Sequence, residues 1–246
     1  MSIFNKNFFI LIRGEIKRSV KYKVLTVGTG VSFIWLIVIY FLRKNYLEMQ
    51  TVIPMLIFAD TVLMPVILIG ASIFFEKQEG SVRSLLVSPL SEWQIIIGKI
   101  VNSVFTSIIS STIVLVGALM MTNIRINILL FYLYIILITS AHAAIGFALS
   151  LVSRDFNSML VNYMLFYFLF IMPPILIMFN LIPSKYEIIA LISPSEGANI
   201  LLNSIINNQG AEWYMILISI VYLAVITFVL MKWFVYPRFR RDGAGS

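Results

Sequence analysis

The chain has 246 residues, of which 60% are hydrophobic and 12% charged, with a mean hydropathy of +0.97. Soluble domains carry about 25% charged residues, so the composition excludes an ordinary soluble globule and points to an all-α integral membrane protein. The absence of cysteine excludes a disulfide framework and thiolate chemistry. The net charge of +7 sits at the ends of apolar runs, which reads as membrane orientation and not as a nucleic-acid surface.

In chain order, residues 1–23 predict an amphipathic helix lying in the membrane interface. Phe4, Phe8, Leu11, Ile12 and Ile16 share one face, and Lys6, Arg13 and Lys17 another. This segment has no small-residue cleavage site, so no cleavable signal is expected. Six spans follow within a transmembrane domain of residues 24–236: Val24–Leu42, Thr51–Phe75, Ile95–Met121, Ile126–Val152, Phe156–Leu181 and Trp213–Tyr236. A β-barrel would instead show short alternating strands. The short links Thr122–Arg125 and Ser153–Asp155 force antiparallel neighbours. Residues 237–246 form a tail, whose last four residues, Gly243–Ser246, are set aside as a cloning remnant.

An even number of spans puts both ends on one side. Of the 18 Lys and Arg, Arg43, Lys44, Arg125 and Lys185 lie on the far side, and the other 14 lie with the termini. The positive-inside bias therefore places both termini in the cytoplasm. On the far side, "SPSE" (Ser193–Glu196) reads as a capping box with proline at the first helical position. An apolar stripe follows it at Ala198, Leu201, Leu202, Ile205 and Ile206. Together with Pro173-Pro174, these pieces predict short re-entrant helices that dip in from the outer face before the last span.

The densest polar interruption is "FEKQEGSVRSLLVSPLSEWQIIIGKI", Phe75–Ile100. Ser81 is placed to cap a short helix over Val82–Val87, which ends where Pro89 restricts Ser88. Ser91 and Gln94 then form a capping box that opens the third span. A short helix bearing Leu85 and Leu86 inside a charged rim suits docking into a partner's groove; the alternative is a helix resting on lipid.

This loop resembles the signature loop of the ABC-2 type transporter permeases. The match is carried by Glu76, Glu79, Gly80, Ser81, Leu85, Leu86, Ser88-Pro89, Gly98 and Lys99. Ser193-Pro194 departs from the Asn-Pro found before the outer helix in many members. The resemblance implies a coupling helix within 76–91 that docks on a separate ATPase subunit, with Glu76, Glu79, Gly80, Ser81, Arg83, Leu85, Leu86 and Pro89 at the contact. It implies two ATPase copies and a second permease subunit, the same or a related chain. This chain has no G-x-x-x-x-G-K-[ST] loop. It is therefore expected to be no enzyme and to hold no cofactor, with ATP and Mg bound by the partner.

Asp60 is an acid deep in a span, open to contact with a cationic substrate, proton carriage or pairing across a dimer; the plain alternatives are satisfaction by a neighbouring helix or a position nearer the outer surface. His142 reads as a satisfied core histidine more readily than as a proton switch, and with no second histidine or cysteine a metal site is not expected. Arg154 and Asp155 form a turn that either touches the ATPase or anchors topology. Tyr163, Phe166, Tyr167, Phe168 and Phe170 either line a drug path or pack against lipid and protein. With Asp60 and His142, Tyr163 and Tyr167 make up the candidate substrate path. The expected function is the permease of a bacterial plasma-membrane exporter for a hydrophobic or amphipathic drug, antibiotic or small peptide. Export of lipid, polysaccharide or sodium, an assembly factor and a passive channel are the alternatives.

Overall fold

The computed structural model describes residues 6–21, 23–44, 46–80, 88–122, 124, 126–179, 181–183, 186–206 and 212–244. Six helices among them are long and apolar enough to cross a membrane: Val24–Leu42, Met49–Glu76, Glu92–Met121, Ile128–Val152, Phe156–Met178 and Trp213–Arg241. These are the first to sixth spans. The expected spans are all present, with ends that differ for local reasons. The third begins three residues earlier than hydropathy marks it, because the Ser91–Gln94 capping box forms. Gln94 N donates to Ser91 Oγ at 3.3 Å and Ser91 N to Gln94 Oε1 at 3.0 Å. The sixth continues past Tyr236 because its helix runs on through polar residues to Ala244.

The second and fourth spans form the centre. In their most apolar windows, 61% and 56% of residues are buried, against 17% for the first and sixth. Their contact depends on missing side chains. A Cβ on Gly146 would lie 2.5 Å from Val66 O and 2.9 Å from Ile69 Cγ2, and one on Gly70 would overlap the Tyr163 ring. Such close backbone approach is how helices gain packing energy where lipid removes the hydrophobic drive.

Proline shapes two of the spans. The second passes through a wide π turn at Ala59–Leu63, just before Pro65, and the fifth through another at Tyr167–Ile171, just before Pro173 and Pro174. Pro174 has no N–H to give Phe170 O, its partner four residues back. Ser193 Oγ supplies the missing donor to Phe170 O and also accepts Ser195 N at 3.1 Å. Ser193 thus starts the helix Pro194–Ile206, whose 13 residues reach about 20 Å, too short to span. That helix is buried along nearly its whole length. His142 ties it to the fourth span. Its Nδ1 lies 2.8 Å from Ile138 O, which only accepts, so Nδ1 carries the proton and Nε2 accepts Ser195 Oγ at 3.2 Å.

The N-terminal helix, Lys6–Lys21, docks on the third span through Phe8, Leu11, Glu15 and Ser19. Ile12 and Ile16, expected on the apolar face with Phe8 and Leu11, are only half-buried. The buried stripe is rotated toward Glu15 because Lys99 compensates its charge. Gly98 leaves room for this contact, since a Cβ there would sit 3.1 Å from Leu11 Cδ2.

Gly146→Leu is expected to lower stability by about 1–3 kcal/mol through overpacking. Gly30→Leu, with nothing within 4 Å of its Cβ position, should leave it nearly unchanged. Unfolding in lipid bicelles, with both variants compared to the unsubstituted protein, checks the contrast.

Candidate functional site

One end of the bundle gathers the N-terminal helix, the start of the third span and the close of the second. Lys99 Nζ, only 3% exposed, lies 2.6 Å and 2.8 Å from the two Glu76 oxygens and 3.4 Å from Glu15 Oε1. Arg18 reaches Glu76 Oε1 at 2.6 Å and Glu15 at 3.7 Å, and Ser72 Oγ donates to Glu76 Oε1 at 3.3 Å. Two acids and two bases are thus joined in one cluster. A buried charge stripped of its partner would be strongly unfavourable, so the three helices are held in one arrangement. Arg240 of the sixth span adds a looser contact to Glu92, 3.8 Å away at the head of the third. The clasp therefore grips both shoulders of the segment 79–91.

Two hollows that share Glu15, Ser19 and Ser72 in their walls open beside the clasp. The wider, about 510 Å³, is lined by Glu15, Arg18, Leu68, Phe75, Glu76 and Glu79. The narrower, about 40 Å³, runs from Glu15 and Lys99 along Asn102, Ser103, Thr106 and Ser107 to Ser110 and Asp60. Small polar side chains on the third span recur every three or four residues, which puts them on one helical face. At the inner limit of the crevice, Asp60 is 1% exposed. It accepts Trp35 Nε1 at 3.2 Å, Ser110 Oγ at 2.9 Å and Ser32 Oγ at 3.2 Å. Ser107 Oγ donates to its main-chain oxygen at 3.2 Å.

The sequence matches the family of ABC-2 type transporters over residues 6–207, most of the chain and all of the clasp's acids and lysine. The chain belongs to the ABC-2 type transporter family. A 64-residue stretch, 26% of this chain, is 41% identical to a protein of Escherichia coli named "Probable multidrug ABC transporter permease YbhR", with the same match in two strains. The match covers 17% of that protein's length. The chain is thus a multi-pass membrane protein of the ABC-2 type transporter family.

Within the ABC-2 chain, Glu76 sits in the clasp and Glu79 is exposed beside it. Gly80 (φ +69°) occupies the left-handed region that ends the second helix, a conformation strained for other residues. Ser81, Arg83, Leu85 and Leu86, with the short helix expected over 82–87, lie outside the described residues. Pro89 is exposed in the bend Ser88–Leu90 that leads to the Ser91 cap. Arg154 and Asp155 are exposed; Asp155 caps the fifth span, its Oδ1 accepting Ser158 N at 2.7 Å.

Asp60, His142, Tyr163 and Tyr167 do not gather around one cavity. Asp60 faces the first and third spans, and His142 faces the helix Pro194–Ile206. Tyr163 packs on Gly70, and Tyr167 donates to Leu63 O at 3.3 Å, the far side of the same π turn. Sequence reasoning missed Glu15 and the polar face of the third span. The spacing of Lys99, Ser103, Thr106 and Ser110 carried the second signal. Glu15 carried none, because its importance comes from a residue 84 positions away.

Lys99→Met is expected to destabilise the protein by about 3–5 kcal/mol, because it removes the buried counter-charge of Glu76 and Glu15 and leaves them to the partly exposed Arg18. Adding Glu76→Gln to it should cost less than the sum of the two single changes. A double-mutant cycle on unfolding in bicelles measures this.

Proposed function

We propose that the protein is the permease subunit of an ATP-driven exporter of hydrophobic or amphipathic compounds, driven through segment 76–91 by a separate ATPase. The observation that carries this reading is the clasp. Glu76 opens the segment, Glu92 and Lys99 follow it, and all three are tied to other helices. Force applied to the segment would reach the N-terminal helix and the second, third and sixth spans at once. Leu85 and Leu86 are the handle, docked in a groove of the ATPase. The charged end is then cytoplasmic, in keeping with the excess of Lys and Arg there, and the membrane is the bacterial plasma membrane.

The wider hollow supports the cargo class. Its volume of about 510 Å³ falls within the range of about 300–1,000 Å³ typical of sites for drug-sized molecules. Its walls mix Leu68, Ala71 and Phe75 with Glu15, Arg18 and Glu79, a lining for an amphipathic compound. The "multidrug" in the name of the Escherichia coli relative agrees with that class. In this reading the full path is shared with a second permease subunit. Two ATPases, each binding ATP and Mg, complete the assembly.

Changing Leu85 or Leu86 to Asp is expected to abolish co-purification with the partner ATPase and its stimulation, while membrane insertion persists. Complex formation and transport that continue unaltered would overturn the reading. Conductance across a bilayer containing the permease alone, without ATP, would instead favour a passive channel.

A further inference from the structure

The oxygens around Asp60 outnumber the protons available to them. Oδ2 lies 2.9 Å from Ser110 Oγ and 3.2 Å from Ser32 Oγ. The two hydroxyls touch each other, and both approach Gly28 O, at 3.1 Å from Ser32 and 3.3 Å from Ser110. Five oxygen–oxygen contacts converge, yet the two serines bring two hydroxyl protons. Three of the contacts have no proton of their own and share one in bifurcated bonds. The carboxylate is also uncompensated. No salt bridge among the described residues reaches it, and Lys99, the basic residue on the same crevice, is held by Glu76 and Glu15. A buried carboxylate in this state is costly.

A single positive charge among these oxygens answers both deficits. We propose that Asp60, Ser32, Ser110 and the main-chain oxygen of Gly28 form a binding site for a small monovalent cation. All its ligands are oxygen, which suits a hard ion. One carboxylate balances one charge, where divalent oxygen sites commonly recruit several. The crevice of about 40 Å³ is too narrow for a drug-sized or quaternary cation. It has room for roughly three water-sized bodies, and so for a partly hydrated ion or a primary ammonium. Access runs from the clasp along Asn102, Ser103, Thr106 and Ser107, whose polar groups replace a shed water shell step by step. The ion is either a free inorganic cation or the ammonium end of a cargo seated in the wider hollow.

The test uses the purified full chain in lipid nanodiscs without any ATPase, so its failure leaves the coupling reading standing and the converse also holds. Choline chloride is exchanged for sodium chloride or methylammonium chloride at constant ionic strength. Melting is followed together with the emission of Trp35 in a variant whose other three tryptophans are phenylalanine. The expected result is a saturable rise in melting temperature, on the order of 5–10 °C at a hundredfold excess over the dissociation constant, with a parallel change in Trp35 emission. Asp60→Asn should not respond, and Ser110→Ala should need about tenfold more cation. If Asp60→Asn does not fold, the Ser110→Ala shift and the Trp35 signal decide. A response to sodium alone assigns the site to an inorganic ion, and a response to methylammonium alone assigns it to a cargo ammonium; either supports the site. Equal behaviour in sodium, methylammonium and choline overturns it. So does stability that follows pH alone, as a protonated Asp60 would give, or an Asp60→Asn protein that titrates like the unsubstituted one.

Discussion

A charge removed from water must meet an opposite charge or a full set of hydrogen bonds, and the charged end of this bundle is arranged around that demand. Lys99 lies three per cent exposed on a transmembrane helix. It is tolerable there only because Glu76 and Glu15 arrive from two other helices. The same requirement fixes the rotation of the N-terminal helix, since turning its apolar face fully inward would carry Glu15 away from Lys99. Gly98 is the steric half of this arrangement, because it lets that helix approach closely enough for the ion pair to form.

The demand extends to the backbone. Each proline in a span leaves a carbonyl without its helical donor, and in a membrane no solvent replaces it. The fifth span resolves this by borrowing Ser193, which also begins the buried helix Pro194–Ile206. The break in one helix is thereby joined to the start of another. Tyr167 makes a similar link to Leu63 O in the π turn of the second span. Irregular turns thus serve as attachment points between helices as well as interruptions within them.

Much of this was legible in the sequence, for physical reasons that also set the limits. Runs of apolar residues mark spans because lipid demands them, and Ser91 with Gln94 marks a helix start because the two satisfy each other across three residues. Glu76 and the Gly98-Lys99 pair stood out only through family resemblance; their contacts supply the reason, with glycine admitting Leu11 and lysine closing the clasp. Glu15 was not legible, since a lone acid on an amphipathic helix looks solvated until its partner is known. The serines and threonines of the third span were diluted by the isoleucines and valines between them, which is what an average over a window does to a one-sided stripe. The grouping of Asp60 with His142, Tyr163 and Tyr167 treated depth in the membrane as proximity, whereas helices at one depth face different neighbours.

The second and third spans differ in stiffness, and the difference falls at Asp60. The third runs from Glu92 to Met121 without a proline or a π turn, and Lys99 and Ser110 are about 16 Å apart along it. A tilt imposed at the clasp therefore moves Ser107 and Ser110 as parts of one rod. The second span, tied to the same clasp through Glu76, is interrupted by the π turn that contains Asp60, where the ladder of hydrogen bonds is already displaced and bends most readily. Motion that enters both helices together at the charged end must separate where one yields and the other does not. That place is the contact between Asp60 and Ser110, where the turn that bends in the second span meets the straight rod of the third.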